Sequence, residues 1–284
     1  MILIRHLKDK FMIRKFFRKV KEGLGLRGYF DNELAVLIRK RQYEHPNRFV
    51  RYGKHCFSQT DEDGLTLEII KRIGISDGIF AEFGIGDGTE NNTLFLLSLN
   101  WKGFWSDGDD IAFDVSKTNR VFFYKEWITQ ENICSLMDRG KSDLGADDVD
   151  LISVDLDGND LYFCEELLKN GFRPSVFIVE YNAKFPPPIK FCIDYNPSHL
   201  WDDTDYMGAS LQSFYNMFDK YDYSLICCNA ATGSNAFFVK NIYLDLFPET
   251  PDNIEDIYVD CQYNLFDKYG HNKSLKTIEL LIRE

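Results

Sequence analysis

The sequence predicts an α/β domain built on a doubly wound, mostly parallel sheet that closes with an antiparallel hairpin. Three observations carry that expectation. From about residue 57, short apolar runs alternate with stretches of helical period. Glycines recur at every second position directly after the first run. The last two apolar runs are separated only by a Thr-Gly-Ser turn. Strands that alternate with helices need crossover connections, and crossovers make parallel neighbours.

FSQTDEDGLTLEIIKRIG reads as a capped amphipathic helix, apolar at 65, 67, 69, 70 and 73 and stopped by Gly74. GIFAEFG is a buried strand, and TENNTLFLLSLN (89–100) the helix after it. KGFWSDGDD is a strand ending in acids. RVFFYKEWI follows as a third strand and TQENICSLMDRG (129–140) as a third helix capped by Thr129. VDLISVDLDGND is again a strand ending in acids, and DLYFCEELLKNGF its helix, closed by Gly171. RPSVFIVEYNA is a fifth strand. A long polar loop (184–208) leads to the helix ASLQSFYNMFDKY and the hairpin YSLICCNA/SNAFFVKN.

The chain has 284 residues, 44% hydrophobic and 15% aromatic, enough apolar mass for an aromatic-rich core. A net charge of -12 argues against a nucleic-acid partner. Seven cysteines without CxxC or zinc spacing suggest free thiols and a reducing, cytoplasmic setting. No run approaches the roughly 18 apolar residues of a membrane span, and no signal peptide is evident. The basic opening, MILIRHLKDKFMIRKFFRKVKEGLGLRGYF, permits an interfacial helix on an anionic membrane or a helix packed on protein. The expected organisation is a basic helical extension (1–55), a central domain (56–245) and a C-terminal extension packed on it (246–284).

In open α/β sheets, ligands bind beyond the carboxyl ends of the strands. Glu82, Gly84, Gly86 and Gly88 fall at such an end and match the E/D-x-G-x-G-x-G signature of S-adenosylmethionine (SAM) enzymes, not the dinucleotide G-x-G-x-x-G. Asp107 ends the next strand about twenty residues on, where a carboxylate can accept both ribose hydroxyls; Asp109 competes for that role, and Asp87 adds charge beside the glycines. Five βα units and a final hairpin are also the order of the class I methyltransferase (Rossmann-like) fold. FSQTDEDG, AEFGIGDGTENNT, GFWSDGD, LISVDLDGNDLY, FIVEYNA and DYMGASLQSF…NAFFVK resemble, in order, SAM-dependent methyltransferase-like proteins related to the FkbM group. The resemblance spans about 56–241. It implies SAM as cofactor and a small-molecule or glycan acceptor, often in surface-polysaccharide (capsule) biosynthesis.

A second acidic set lies at SVDLDGND. Asp155 and Asp157 point to one face if the strand continues through them. They could hold Mg²⁺ or Ca²⁺ or serve as a general base; Asn159 and Asp160 could instead form a turn and cap the next helix. Glu180, Tyr181 and Asn182 end the following strand, and with Asn159 are expected to line the acceptor pocket. The 184–208 loop contributes Trp201 and Tyr206 to stack on a sugar, His199 as a base, and Asp202, Asp203 and Asp205. The expected activity is methyl transfer to a hydroxyl or phosphate oxygen of a sugar, with Asp155, Asp157 and Glu180 catalytic. Two alternatives remain: a metal-dependent glycosyl- or nucleotidyl-transferase using Asp155/Asp157 as a DxD motif, and a non-catalytic protein of the same fold.

Overall fold

A computed structural model describes residues 27–202, 204–262 and 282. The basic opening segment lies outside the described residues except for its last turn, as does Asp203.

The sheet contains β1 (Ile79–Phe83), β2 (Lys102–Asp107), β3 (Val121–Lys125), β4 (Leu151–Val154), β5 (Val176–Glu180), β6 (Tyr223–Cys228) and β7 (Asn235–Lys240). Its order is β3-β2-β1-β4-β5-β7-β6. Neighbours from β3 to β5 pair in parallel, and β7 runs antiparallel to both β5 and β6. This is the class I methyltransferase fold, and the order reverses between β1 and β4.

Alternate residues of each strand feed two cores, as a period of two requires. Ala81, Phe83, Phe104, Ile152, Val154, Phe177 and Val179 pack under α3 (Ile133–Leu144), α4 (Asp160–Lys169) and α5 (Leu211–Asp219). Phe80, Trp105, Leu151, Val176, Ile178 and Phe237 face the other way, against α2 (Glu62–Ile73) and the 94–101 segment. The long helix α1 (Arg27–Glu44) touches the sheet body through Arg41, whose Nε donates to Ala230 O at 2.8 Å. Just after it, Asn47 Nδ2 donates to Ile226 O at 2.7 Å. Past β7 a single turn, α6 (Ile254–Ile257), packs near β6.

Gly74 ends α2 in the left-handed conformation its position predicts. Three expectations are corrected. The predicted helix over 89–100 is only a 3-10 turn, Leu94–Leu99. Just before that turn the N–H groups of Asn92 and Thr93 donate to the buried Glu82 carboxylate. The third helix starts at Ile133, not near Thr129, because Asn132 Oδ1 accepts from Thr129 N and folds that stretch into a turn. It also runs through Gly140 to Leu144: a Cβ at Gly140 would stand 2.1 Å from Phe104, so this glycine lets helix and sheet approach. Among the described residues no helix is long and apolar enough to cross a membrane.

Candidate active site

A cleft of about 1100 Å³ opens where the strand order reverses, beyond the carboxyl ends of β1, β2 and β4. Gly84, Gly86, Asp87, Asp107, Asp109, Asp155, Asp157, Asn159, His199 and Trp201 all line it. Its lining includes seven carboxylates, counting Glu82 and Glu90, and no Lys or Arg among the described residues.

The three glycines serve different ends. A Cβ on Gly84 would lie 1.6 Å from Asp155 O, so bare backbone there lets the β1 and β4 loops touch. Gly88 (φ 79°) lies against Ile111 and Phe113 and does not line the cleft. Gly86 alone, with φ 55°, faces nothing within 4 Å and presents open backbone. Protein, rather than a ligand, therefore accounts for two of the three absent side chains.

The two acids of the signature brace this loop. Glu82 is 1% exposed; Oε1 accepts from Asn92 N, while Oε2 accepts from Thr93 N and Thr93 Oγ1. Burial raises its carboxyl to about 7. Asp107 Oδ2 accepts from Ile85 N (2.7 Å) and Gly86 N (2.8 Å), and Oδ1 from Asp109 N (2.8 Å). Each carboxylate oxygen has two lone pairs, so only Oδ1 keeps capacity for a hydroxyl. The expected two-handed grip on a ribose is reduced to one oxygen. Asp87 caps its own turn, with Oδ1 accepting from Thr89 N and Thr89 Oγ1.

The second acidic set converges by a different route from the one expected. β4 ends at Val154, so Asp155 and Asp157 lie in the loop beyond it, and Asp157 adopts φ 55°. Ligand atoms of Asp155, Asp157 and Glu180 come within 4.8 Å of one another. Burial, then repulsion among neighbouring acids, raises Asp155 and Glu180 well above the carboxylate range. Each of these two carboxyls is held up in part by the charge of the other. Glu180 Oε2 is buried without a hydrogen-bond partner. Asp160 serves as a brace, accepting from Leu156 N (2.7 Å) and Gly158 N (2.9 Å).

Several expected acceptor contacts are structural instead. Tyr181 is wholly buried, its hydroxyl donating to Val259 O. Asn182 Nδ2 donates to Asp205 O and Met207 O. Neither lines the cleft. Asn159 reaches its wall but clips the 184–208 loop, through Nδ2 to Asn196 O (2.8 Å) and Asn196 N to Oδ1 (3.2 Å). Trp127, not anticipated from sequence, makes a second clip, Nε1 to Pro197 O at 2.6 Å, and leaves 49% of its surface exposed at the cleft. Held this way, His199 packs against Gly158 with Nε2 buried and unpartnered. Tyr206 stands edge-on to His199 outside the lining, and Trp201 remains 44% exposed on it. Sequence also missed Gln59, Asn91 and Asn235 on the wall; polar residues in turns carry no distinctive pattern.

No family model and no curated protein matches the chain. Among solved structures it is similar to a fibrillarin/Nop5p complex at 10% identity and TM-score 0.36, over 58% of this chain and 73% of that one. A putative O-methyltransferase from Nostoc punctiforme PCC 73102 gives 13% identity and TM-score 0.35, over 62% and 56% of the respective chains. The glycopeptide N-methyltransferase MtfA, solved with S-adenosyl-L-homocysteine, gives 11% and 0.34, over 66% and 93%. Likeness at this level adds nothing to the strand order, which defines the fold by itself.

Proposed function

We propose that the protein is a SAM-dependent methyltransferase acting on a hydroxyl of a sugar or glycan precursor. One observation carries the reading: the open backbone of Gly86 lies in an acid-lined cleft at the point where the strand order reverses. The cofactor, when bound, supplies a methyl carbon made electrophilic by a sulfonium. Seven carboxylates and no Lys or Arg in the described lining suit that cation and disfavour a phosphate acceptor, which narrows the expected acceptor to the hydroxyl.

Gly84, Gly86 and the free capacity of Asp107 Oδ1 would hold the nucleoside, with Trp127 beside it. Asp155 is the group placed to take the acceptor's proton, since burial and neighbouring acids raise its basicity. Catalysis of this kind rests chiefly on alignment. The exposed rings of Trp201 and Trp127 offer faces on which a sugar can stack. Asp155, Asp157 and Glu180 also fit a divalent cation, because three hard oxygen ligands converge and one is orphaned. A role in surface-polysaccharide synthesis belongs to the same proposal.

Thermal-shift measurements decide the cofactor. S-adenosylhomocysteine should raise the melting temperature with chelator present. Stabilisation only by a sugar nucleotide plus Mg²⁺ would move the protein to the glycosyl- or nucleotidyl-transferase class.

A further inference from the structure

Asn235, the first residue of β7, is 2% exposed and lines the cleft, yet its Oδ1 has no hydrogen-bond partner. Its Nδ2 donates to Glu62 Oε1 at 3.4 Å, which sets the amide with its oxygen turned away. Asn235 stands directly opposite Glu180 in the β5–β7 register. Opposite residues in a sheet send their side chains to the same face. Glu180 Oε2 is likewise buried and unpartnered. Two acceptor oxygens on adjoining strands thus lack a donor, a condition native chains seldom retain without a use. Ligand atoms of Glu180 also come within 4.8 Å of those of Asp155 and Asp157, and both aspartates line the cleft. The described lining holds no Lys or Arg. This corner needs a donor, and the acids around it favour one that carries positive charge.

We propose that Asn235 and Glu180 form an acceptor-side subsite for a protonated primary amine, so that the methyl acceptor is an amino sugar. The inference rests on the methyl-transfer reading above and narrows its acceptor. An ammonium brings three donors; one serves Asn235 Oδ1 and another Glu180 Oε2. Its charge offsets the repulsion that raises Asp155 and Glu180. The protonated nitrogen has no free lone pair, so the amine is gripped while a hydroxyl of the same sugar takes the methyl group. Asn235 is here a specificity residue and touches no reacting atom.

Calorimetric titration of the full chain, with chelator present, tests this. The probes are glucosamine, N-acetylglucosamine and glucose, each with and without saturating S-adenosylhomocysteine. Glucosamine should bind at least about tenfold more tightly than the other two. That preference should vanish at a pH where its amine is neutral. Asn235→Leu should erase the preference and leave S-adenosylhomocysteine affinity unchanged. The hairpin turn should survive the change, because Asn229 Oδ1 accepts from the backbone N–H of Asn235 and Glu62 keeps Thr60 N at 2.8 Å. Should the variant not fold, the wild-type pH and N-acetyl comparisons decide alone. Equal affinity for the three sugars, binding of none, or a preference that persists at high pH or in Asn235→Leu would overturn the subsite. Wild-type protein that prefers glucosamine but does not bind S-adenosylhomocysteine would keep the subsite and lose the methyl donor.

Discussion

At Gly84 and Gly86, two glycines of one motif answer to different forces. Gly84 meets the Asp155 carbonyl, whereas Gly86 meets open space. Gly84→Ala should therefore cost well over about 2 kcal/mol, since a methyl would have to displace backbone. Gly86→Ala should cost about 1 kcal/mol, the penalty of a left-handed Cβ, and should weaken S-adenosylhomocysteine. Urea denaturation measures the first pair of numbers and titration the last; equal costs at both positions would contradict the geometry. Asp155→Asn should leave cofactor affinity intact while lowering turnover by about 10²–10⁴-fold. Affinity that fell in step with turnover would remove Asp155 from the acceptor side. The motif's residue types and spacing were legible in the sequence. That Glu82 and Asp107 spend their oxygens on the chain's own N–H groups was not, because pattern records which residues recur and not what they touch.

Among the elements, irregular segments are fixed by single side chains. Asn229, at the turn between β6 and β7, has Nδ2 within hydrogen-bond reach of Thr60, Glu62 and Thr232, and its Oδ1 accepts from Ser234 N and Asn235 N. Arg72 on α2 forks onto Glu249 at 2.8 and 2.9 Å and lies over Phe49, Tyr52 and Phe247. Arg72→Lys should lose about 1–2 kcal/mol, since an ammonium keeps the charge but neither the fork nor the stack; chemical denaturation reads the difference. Asn159 and Trp127, together with Asn182 and Tyr162, hydrogen-bond to the loop over the cleft. Asn159→Ala should cost about 1–2 kcal/mol and speed proteolysis or hydrogen exchange within 184–208. An unchanged loop would mean that Trp127 and the Tyr162–Tyr195 contact suffice. Helices α2, α4 and α5 were legible because apolar periodicity and end signals agreed. The 89–100 stretch was not: its composition is helical, yet it closes only as a 3-10 turn from Leu94 to Leu99.

Taken as a whole, the molecule buries acids around its cleft and the N-terminus of α2. Burial raises Glu82 and Glu62 to about 7, and Asp63 and Asp160 to about 6, from ordinary values of 4.5 and 3.8. The folded chain therefore holds protons that the unfolded chain has already released. Between about pH 4 and 7 the folded state binds more protons, so stability falls as pH rises through that window. The ligand-free melting temperature should be higher near pH 5.5 than near pH 8. A flat or rising profile would mean these carboxyls ionise freely in the fold. Lost repulsion within a chain of net charge -12 acts in the same direction.

The amino-acid sequence alone determined the alternation of strands and helices, the closing hairpin and the end of the sheet where the glycines gather. Each is a local consequence of hydrophobic period and turn chemistry. Only tertiary structure decided which polar groups remain free for a ligand. Hydrogen bonds between residues distant in the chain consumed Tyr181, Asn182, Asn159 and most of Asp107, and left Asn91, Asn235 Oδ1, Glu180 Oε2 and His199 Nε2 unpartnered. Whether a polar atom is satisfied depends on what packs against it, and a linear pattern does not specify that.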